Sequence, residues 1–561
     1  MHFFEFYQFR MELTMINVMK KWFVFFFVAV FCSLFVHAIE VEWTFPPNTI
    51  STLGQNASDP SIAIDKSGNA LVLWIENGVV LSCEGTEHGG WNPSSAISGS
   101  GASNPHVSMD DQGNAIAIWL ENGVVFSRSK PVGMDWSGKA TPLSQVGASY
   151  PQLAVNAGGQ AVAVWLIKTV VEAASGTFSS GWNSSIAISG SGCSFPQVSI
   201  DGSGDVVAVW QQIDSSITSI YSSSRLGGGS WSMPAPISLI GENCASPNIS
   251  LSSSNGEKAI AIWYSYDLKG STYSNVITQV ASLQQDGTWA TPVKFNYPGI
   301  IDPYSFPTKV IMDDSGNAIA MWITSTDGSL YTVVFSGKPK GGFWSYVKML
   351  VLPNVSCFGF ALCPLKNGDA LGAWMVLDQD GKNLIIETSV ASLQLVNYDP
   401  ASSNEASVQT SSITSQMMWD PYFTLSQGAS NGYPQLASSY WNNYINTAAC
   451  WLSYDGTYTS IQASLGGIDE PSPPTGLSVS QSSTNYGLVS DVWNTLSWNG
   501  STDTDVLLYR IYRNGNYVVS VPASQLNWVD HNQVDKQSVT YGVQTVIESL
   551  FVSEIAEITW P

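Results

Sequence analysis

Along most of its length the chain repeats one pattern of apolar and polar positions. The clearest copy is Pro196–Trp210, PQVSIDGSGDVVAVW. It alternates over Gln197–Ile200, turns through Asp201–Gly204, and then runs apolar to Trp210. Alternation with period two predicts a strand with one polar face, and the unbroken apolar run predicts a strand covered on both faces. The acidic turn between them carries a glycine free to take positive φ. Copies continue through Asn77-Gly78 or Asn122-Gly123, two-residue hairpin signals, into a third strand such as Gly78–Ser82. A second tryptophan, as in Trp91–Ser98, opens a fourth.

The tryptophan that ends the apolar strand recurs at Trp74, Trp119, Trp165, Trp210, Trp263, Trp322, Trp374 and Trp451. The one that opens the fourth strand recurs at Trp43, Trp91, Trp136, Trp182, Trp231, Trp289, Trp344 and Trp419. Repeats of about 45 to 60 residues with four strand signals each predict the blades of a β-propeller. The two series are out of step: the second starts before any full repeat and has no member after Trp451. Unpaired strand edges in a ring of sheets must be covered, so Glu42–Ser51 is predicted to supply the fourth strand that Pro434–Ser464 lacks. The expected fold is all-β, an eight-bladed propeller over 42–467 closed by an N-terminal strand. Seven blades is the alternative, because Phe360-Ala361-Leu362 replaces the proline-led first strand near Trp374. That repeat also carries an insertion over 393–418, between its third and fourth strands.

Beyond Gly467 the pattern changes. Residues 468–474 read as a polar, proline-rich linker. Residues 475–561 hold short alternating strands at Leu477–Val479, Leu496–Trp498, Tyr509–Arg513 and Thr540–Val543, a pattern that predicts a β-sandwich. Pro473-Pro474-x-x-Leu477, Leu496-x-Trp498, the run Tyr509-Arg510-Ile511-Tyr512-Arg513-Asn514-Gly515 and Tyr541-x-Val543 together resemble a fibronectin type III domain over 471–561. The resemblance implies a spacer or docking module. No Arg-Gly-Asp adhesion sequence accompanies it.

Composition sharpens the picture. The 561 residues are 44% hydrophobic and 12% aromatic but only 11% charged, with a formal net charge of −22. Such a surface repels phosphate backbones and anionic lipid, so no nucleic-acid partner is expected. Lys20-Lys21, the apolar run Trp22–Val36 and Val36-His37-Ala38 have the order of a secretory signal peptide over 1–38. The run is shorter than the roughly 20 residues of a membrane-spanning helix; a retained anchor is the alternative. The expectation is an exported, secreted or cell-surface, monomeric protein without membrane insertion once the signal is removed. Export permits disulfides. Cys193 and Cys244 hold matching places in consecutive repeats and are the best pair, with buried free thiols as the alternative. No metal-ligand spacing and no cofactor motif is present.

The propeller resembles sialidase-like, Asp-box-type propellers in architecture across 42–467, although the Asp-box sequence itself is not met. That family's chemistry requires three arginines around a carboxylate and a tyrosine nucleophile. Residues 39–467 contain only Arg128 and Arg225, which argues against sialidase activity. Asp59, Glu76, Glu121, Asp214, Glu242 and Asp302 lie on the face where propellers commonly bind ligands, and a glycosidase would need two of them in register. The turn residues Asp65, Asp110, Asp201 and Asp313 fall on the opposite face as turn stabilisers. Asp378–Gly381 hints at a calcium loop but lacks the required Glu and reads as a hairpin. The residue before each first-strand proline is aromatic at Tyr150, Phe195, Phe306 and Tyr433, and Asp59 or Asn104 elsewhere. These aromatics are the candidate ligand site, as a ring at the channel mouth that stacks on sugars, or else packing between blades. No catalytic residue is assigned. The reading is an exported, non-enzymatic binding protein for a glycan or protein ligand. The alternative is a carbohydrate-active hydrolase or lyase that uses the acidic loops.

Overall fold

The computed structural model describes residues 41–560, apart from 88, 271, 351–355, 366–367, 378–382, 397–413, 420–422, 427–429, 442–443, 470, 486–489, 504–505, 532, 535–536, 548–552 and 554. The expected signal peptide and the Asp378–Gly381 turn lie outside these residues. One compact unit spans Glu40–Asp469, and another contains Glu470–Pro561. No helix among the described residues is long and apolar enough to cross a membrane.

In the larger unit the described strands fall into antiparallel sheets built on one plan. The first runs Ala57–Ile64, Asn69–Glu76, Val79–Thr86 and Gly90–Trp91, hydrogen-bonded in that order. Sheets two to eight open with Ala102–Met109, Ala148–Val155, Cys193–Ile200, Asn243–Leu251, Thr308–Met312, Cys357–Pro364 and Ser430–Trp441. First strands of consecutive sheets lie side by side, and that of sheet eight lies beside that of sheet one. The architecture is that of a β-propeller. In sheet eight the strand Thr459–Asp469 pairs with Glu42–Trp43 and Asn48–Thr49. Ile468 and Asp469, read from sequence as linker, therefore belong to a strand, paired with Ile445 and Tyr444. The insertion expected over 393–418 begins and ends as strand, because Leu384–Val396 pairs with Thr414–Trp419.

Sequence explains this regularity. The apolar second strands sit between neighbouring sheets, and Trp74, Trp119, Trp165, Trp210, Trp263, Trp322, Trp374 and Trp451 are all fully buried there. Each acidic turn folds around its own carboxylate. Asp65 Oδ1 accepts the amides of Ser67 and Asn69 at 2.8 and 2.9 Å, Asp110 and Asp201 repeat the arrangement, and Asp313 accepts the Asn317 amide at 2.8 Å. The second series of tryptophans ties sheet to sheet, although Trp136 lies ahead of its sheet's fourth strand, Thr141–Pro142: Trp136 Nε1 donates to Ser82 Oγ, and Trp182 Nε1 to Ser127 Oγ, both at 2.9 Å. Ion pairs Lys130–Glu84, Lys258–Asp205 and Lys338–Glu257 add cross-sheet links.

In the C-terminal unit, Thr475–Asn485, Ser490–Asn499 and Asn527–Asp530 form one sheet. Asn516–Pro522, Val506–Arg513, Val539–Ile547 and Ala556–Trp560 form the other. Leu496, Trp498, Tyr509, Ile511, Val521 and Tyr541, drawn from both sheets, share one core.

Candidate functional site

Each first strand begins at the end of its sheet where the second and third strands are joined by a hairpin. At this hairpin face the pairing of first and second strands slips by a residue, between Ser58 and Ser61, Ser103 and His106, Ser149 and Gln152, Ser194 and Gln197, and Ala245 and Asn248. The residue in each slip is left-handed: Asp59 (φ 51°), Asn104 (49°), Tyr150 (51°), Phe195 (48°) and Ser246 (51°). Asp and Asn tolerate this region through local hydrogen bonds, whereas bulky side chains there are outliers that cost about 1–2 kcal/mol. Sheets three and four therefore place aromatic rings where backbone preference alone selects Asn. Such strain collects at functional positions.

Those two rings touch. Tyr150 and Phe195 have centroids 5.3 Å apart with planes at 56°, and each remains more than a third exposed. In sheet five the equivalent residue is Ser246, which has no ring to offer. Its hydroxyl instead donates to the Pro303 carbonyl at 2.6 Å, while Thr308 Oγ1 donates to the Ser246 carbonyl at 2.7 Å. These bonds hold the loop before sheet six over sheet five and set Tyr304 6.1 Å from Phe195, with planes at 48°. Tyr304 in turn lies about 6 Å from both Tyr266 and Tyr273. Its hydroxyl hydrogen-bonds to that of Tyr266 at 2.9 Å and receives Gln211 Nε2 at 3.5 Å. The result is a continuous aromatic arc, Tyr150, Phe195 and Tyr304, backed by two further tyrosines.

Asp302 is the carboxylate built into this arc. Its Oδ1 accepts the Tyr304 amide at 3.0 Å and its Oδ2 the Ser305 hydroxyl at 2.8 Å, and the side chain stays exposed. Burial, followed by the charge of Asp302, pushes the Tyr273 phenol upward, so it remains protonated. Of the other candidate carboxylates on this face, Asp59 and Asp214 each take a neighbouring serine hydroxyl, at 3.1 and 3.2 Å, and the glutamates are occupied. Glu76 and Glu121 accept the indole N–H of Trp74 and Trp119 at 3.3 and 3.1 Å, and Glu242 pairs with Lys294 and Gln279. Among the described residues, the carboxyls that burial pushes up are Glu387, which binds the Trp374 indole inside sheet seven, and Asp111 on the opposite face. Neither borders the arc. Among the described residues no group of three His, Cys, Asp or Glu side chains could hold a metal ion.

Of the four aromatics singled out in the sequence, the structure brings two together. Phe306 is half-buried between two core clusters, against Tyr331 at 4.8 Å, and serves packing. Tyr433 stands apart on sheet eight, exposed, with its ring over Gly359, where a Cβ would approach Cδ1 to 2.9 Å. The pairing of Cys193 with Cys244 is not formed, and both are free, buried thiols. Equivalent positions in neighbouring sheets face different interfaces. Cys193 packs with Val164 and Trp210, and Cys244 with Val207 and Trp263. Burial raises both thiols, Cys244 to about 12. The arginines are held within the fold: Arg128 donates to the Ser137 and Ile97 carbonyls, and Arg225 to Ser175 Oγ beside the Trp231 ring, with its Nε buried and unpartnered.

No family model and no curated protein matches the sequence. Among solved structures, the chain is similar to polysaccharide lyase Uly1, with 9% identity over 75% of this chain and 91% of that one and a TM-score of 0.37. A fungal lectin from Aleuria aurantia, a six-bladed β-propeller, aligns at 13% identity over 54% and 96% of the two chains, with a TM-score of 0.30. An α-L-arabinanase of Penicillium chrysogenum aligns at 12% over 50% and 93%, with a TM-score of 0.28.

Proposed function

We propose that this is an exported glycan-binding protein whose propeller head recognises carbohydrate through the arc Tyr150–Phe195–Tyr304, without turnover. The observation that carries the reading is the pair of aromatic residues held left-handed at the hairpin face, extended by a third ring from a separate loop. Flat apolar ring faces stack on the C–H faces of sugars, and neighbouring polar groups fix orientation. The head is an eight-bladed ring closed by the N-terminal strand, a reading supported by the pairing of Glu42–Trp43 in sheet eight and the return of sheet eight to sheet one. The three- and four-stranded sheets over 475–560 support a fibronectin type III-like module that spaces the head from its anchorage.

The test is Phe195→Asn, the residue type that sheet two already uses at this position. Binding on a panel of soluble oligosaccharides should fall at least tenfold, while the unfolding free energy from urea melts stays equal or rises, by about 1 kcal/mol at most, as left-handed strain is relieved. Release of reducing ends or unsaturated products from any panel member would move the protein to the hydrolase or lyase reading.

A further inference from the structure

Resting on that reading, we infer the ligand class: a single, soluble chain of neutral sugars, with Asp302 as the residue that selects against acidic glycans. Three observations carry it.

The first is charge. A carboxylated or sulfated glycan needs guanidinium forks, because bidentate Arg contacts are what recognise planar anions strongly. The propeller's arginines, Arg128 and Arg225, are both committed to carbonyls and a hydroxyl within the fold. In the sheets that bear the arc, the hairpin ends carry Lys168 and Lys269 as point charges. Asp214 and Asp267 at the hairpins of sheets four and five offset them in sign, and Asp302 holds the backbone amide of Tyr304, the third ring of the arc. A polyanion laid on Tyr304 meets a carboxylate beside it.

The second is what Asp302 can still do. Each of its oxygens accepts one bond from the chain, Oδ1 from the Tyr304 amide and Oδ2 from the Ser305 hydroxyl, which leaves a lone pair on each. An exposed carboxylate with two open acceptor sites beside an aromatic face suits a pair of adjacent sugar hydroxyls, which are donors and uncharged.

The third is shape. Successive rings are 5.3 and 6.1 Å apart, about one sugar ring per aromatic, but their planes turn by 56° and 48°. Crystalline polysaccharide presents a flat face and needs coplanar rings. Rings that turn through about 50° at each step follow one chain that twists.

Calorimetry on the full-length protein separates the outcomes. The probes are cellopentaose, mannopentaose and laminaripentaose as neutral chains, polygalacturonate and heparin as polyanions, and microcrystalline cellulose as a flat solid. The expected result is saturable binding to at least one pentasaccharide, insensitive to 0.5 M NaCl, weakened about tenfold by Asp302→Asn and lost in Phe195→Asn. Hydrogen bonds to charged groups carry effects of that size. Salt-sensitive binding to a polyanion that Phe195→Asn abolishes, or capture by crystalline cellulose alone, overturns this inference and leaves the glycan reading intact. Unchanged neutral binding in Asp302→Asn overturns the role of Asp302. No binding to any carbohydrate overturns the glycan reading and, with it, the inference.

Discussion

His106 pairs with Ile118, the residue before Trp119, and the same register position holds Ser61, Gln152, Gln197, Asn248, Lys309 and Gln435 in six other sheets and Ala361 in sheet seven. Burial, then the charge of Lys309, depresses the imidazole to about 4 against the opposing pull of Asp59. The neutral ring is therefore the folded form at pH 7, whereas an unfolded His protonates near 6.5. Between these values the unfolded chain binds the extra proton, so this residue's contribution is full above about pH 6.5 and is lost as pH falls towards 4. His106→Gln, which copies sheets three and four, should flatten the loss of stability between pH 7 and 4.5 by about 2 kcal/mol. Urea melts of both proteins at each pH measure it, and parallel pH profiles would reject the assignment. The arc illustrates what single residues disclose. Tyr150 and Phe195 were legible because a proline-led repeat aligns them. Tyr304 was not, because it reaches the arc from a loop outside the repeat, placed by a hydroxyl of Ser246 whose role has no sequence signature.

Among elements, the second strand shows how a correct pattern can still mislead about chemistry. Glu76 and Glu121 sit on the hairpin face as their position requires, and from sequence they were available acids. Two residues from a buried tryptophan, however, the side chain points back along the strand to its indole N–H, and Gln212 does the same for Trp210 at 3.1 Å. The Trp-x-Glu/Gln spacing was visible in the sequence, but its meaning depends on a burial that alternation alone does not reveal. Conversely, the strand periodicity and the acidic turns were readable throughout, because each is enforced locally by hydrogen bonds within a few residues. Contacts between sheets follow a longer logic. Trp136 and Trp182 reach back to serines in the preceding sheet, so Ser82→Ala strands a half-buried indole donor at an interface rather than within one sheet. The expected cost is about 1–2 kcal/mol in chemical denaturation. Glycan affinity should be unchanged, since sheet one carries no part of the arc. A destabilised protein with weakened binding would instead show that the sheets are coupled to the site.

For the whole molecule the decisive contact joins the two ends of the large unit. Thr44 Oγ1 and Ser464 Oγ lie 3.2 Å apart across a sequence separation of 420 residues, and the Ser464 hydroxyl also donates to the Thr44 carbonyl at 2.8 Å. Around them Ile50 is buried beside Ile461 and Ala463, so the strand brings apolar surface as well as backbone pairing to the edge of sheet eight. This is the costliest contact in the fold to make by chance, since loop closure over such a length must precede any gain from it. A covalent link at that point removes the closure entropy from the unfolded chain. In the Thr44→Cys/Ser464→Cys double variant the oxidised protein should be more stable than its reduced form by about 2–4 kcal/mol, the range typical of cross-links. It should also run faster on a non-reducing gel, because nearly the entire propeller is enclosed in the loop. The six native thiols among the described residues do not confuse the readout: all are buried and react only on unfolding. Each single-cysteine variant supplies the reference for stability without the bridge. If the two introduced thiols stay titratable in the native protein under oxidising conditions, the N-terminal strand does not occupy the edge of sheet eight, and the closed ring must be abandoned.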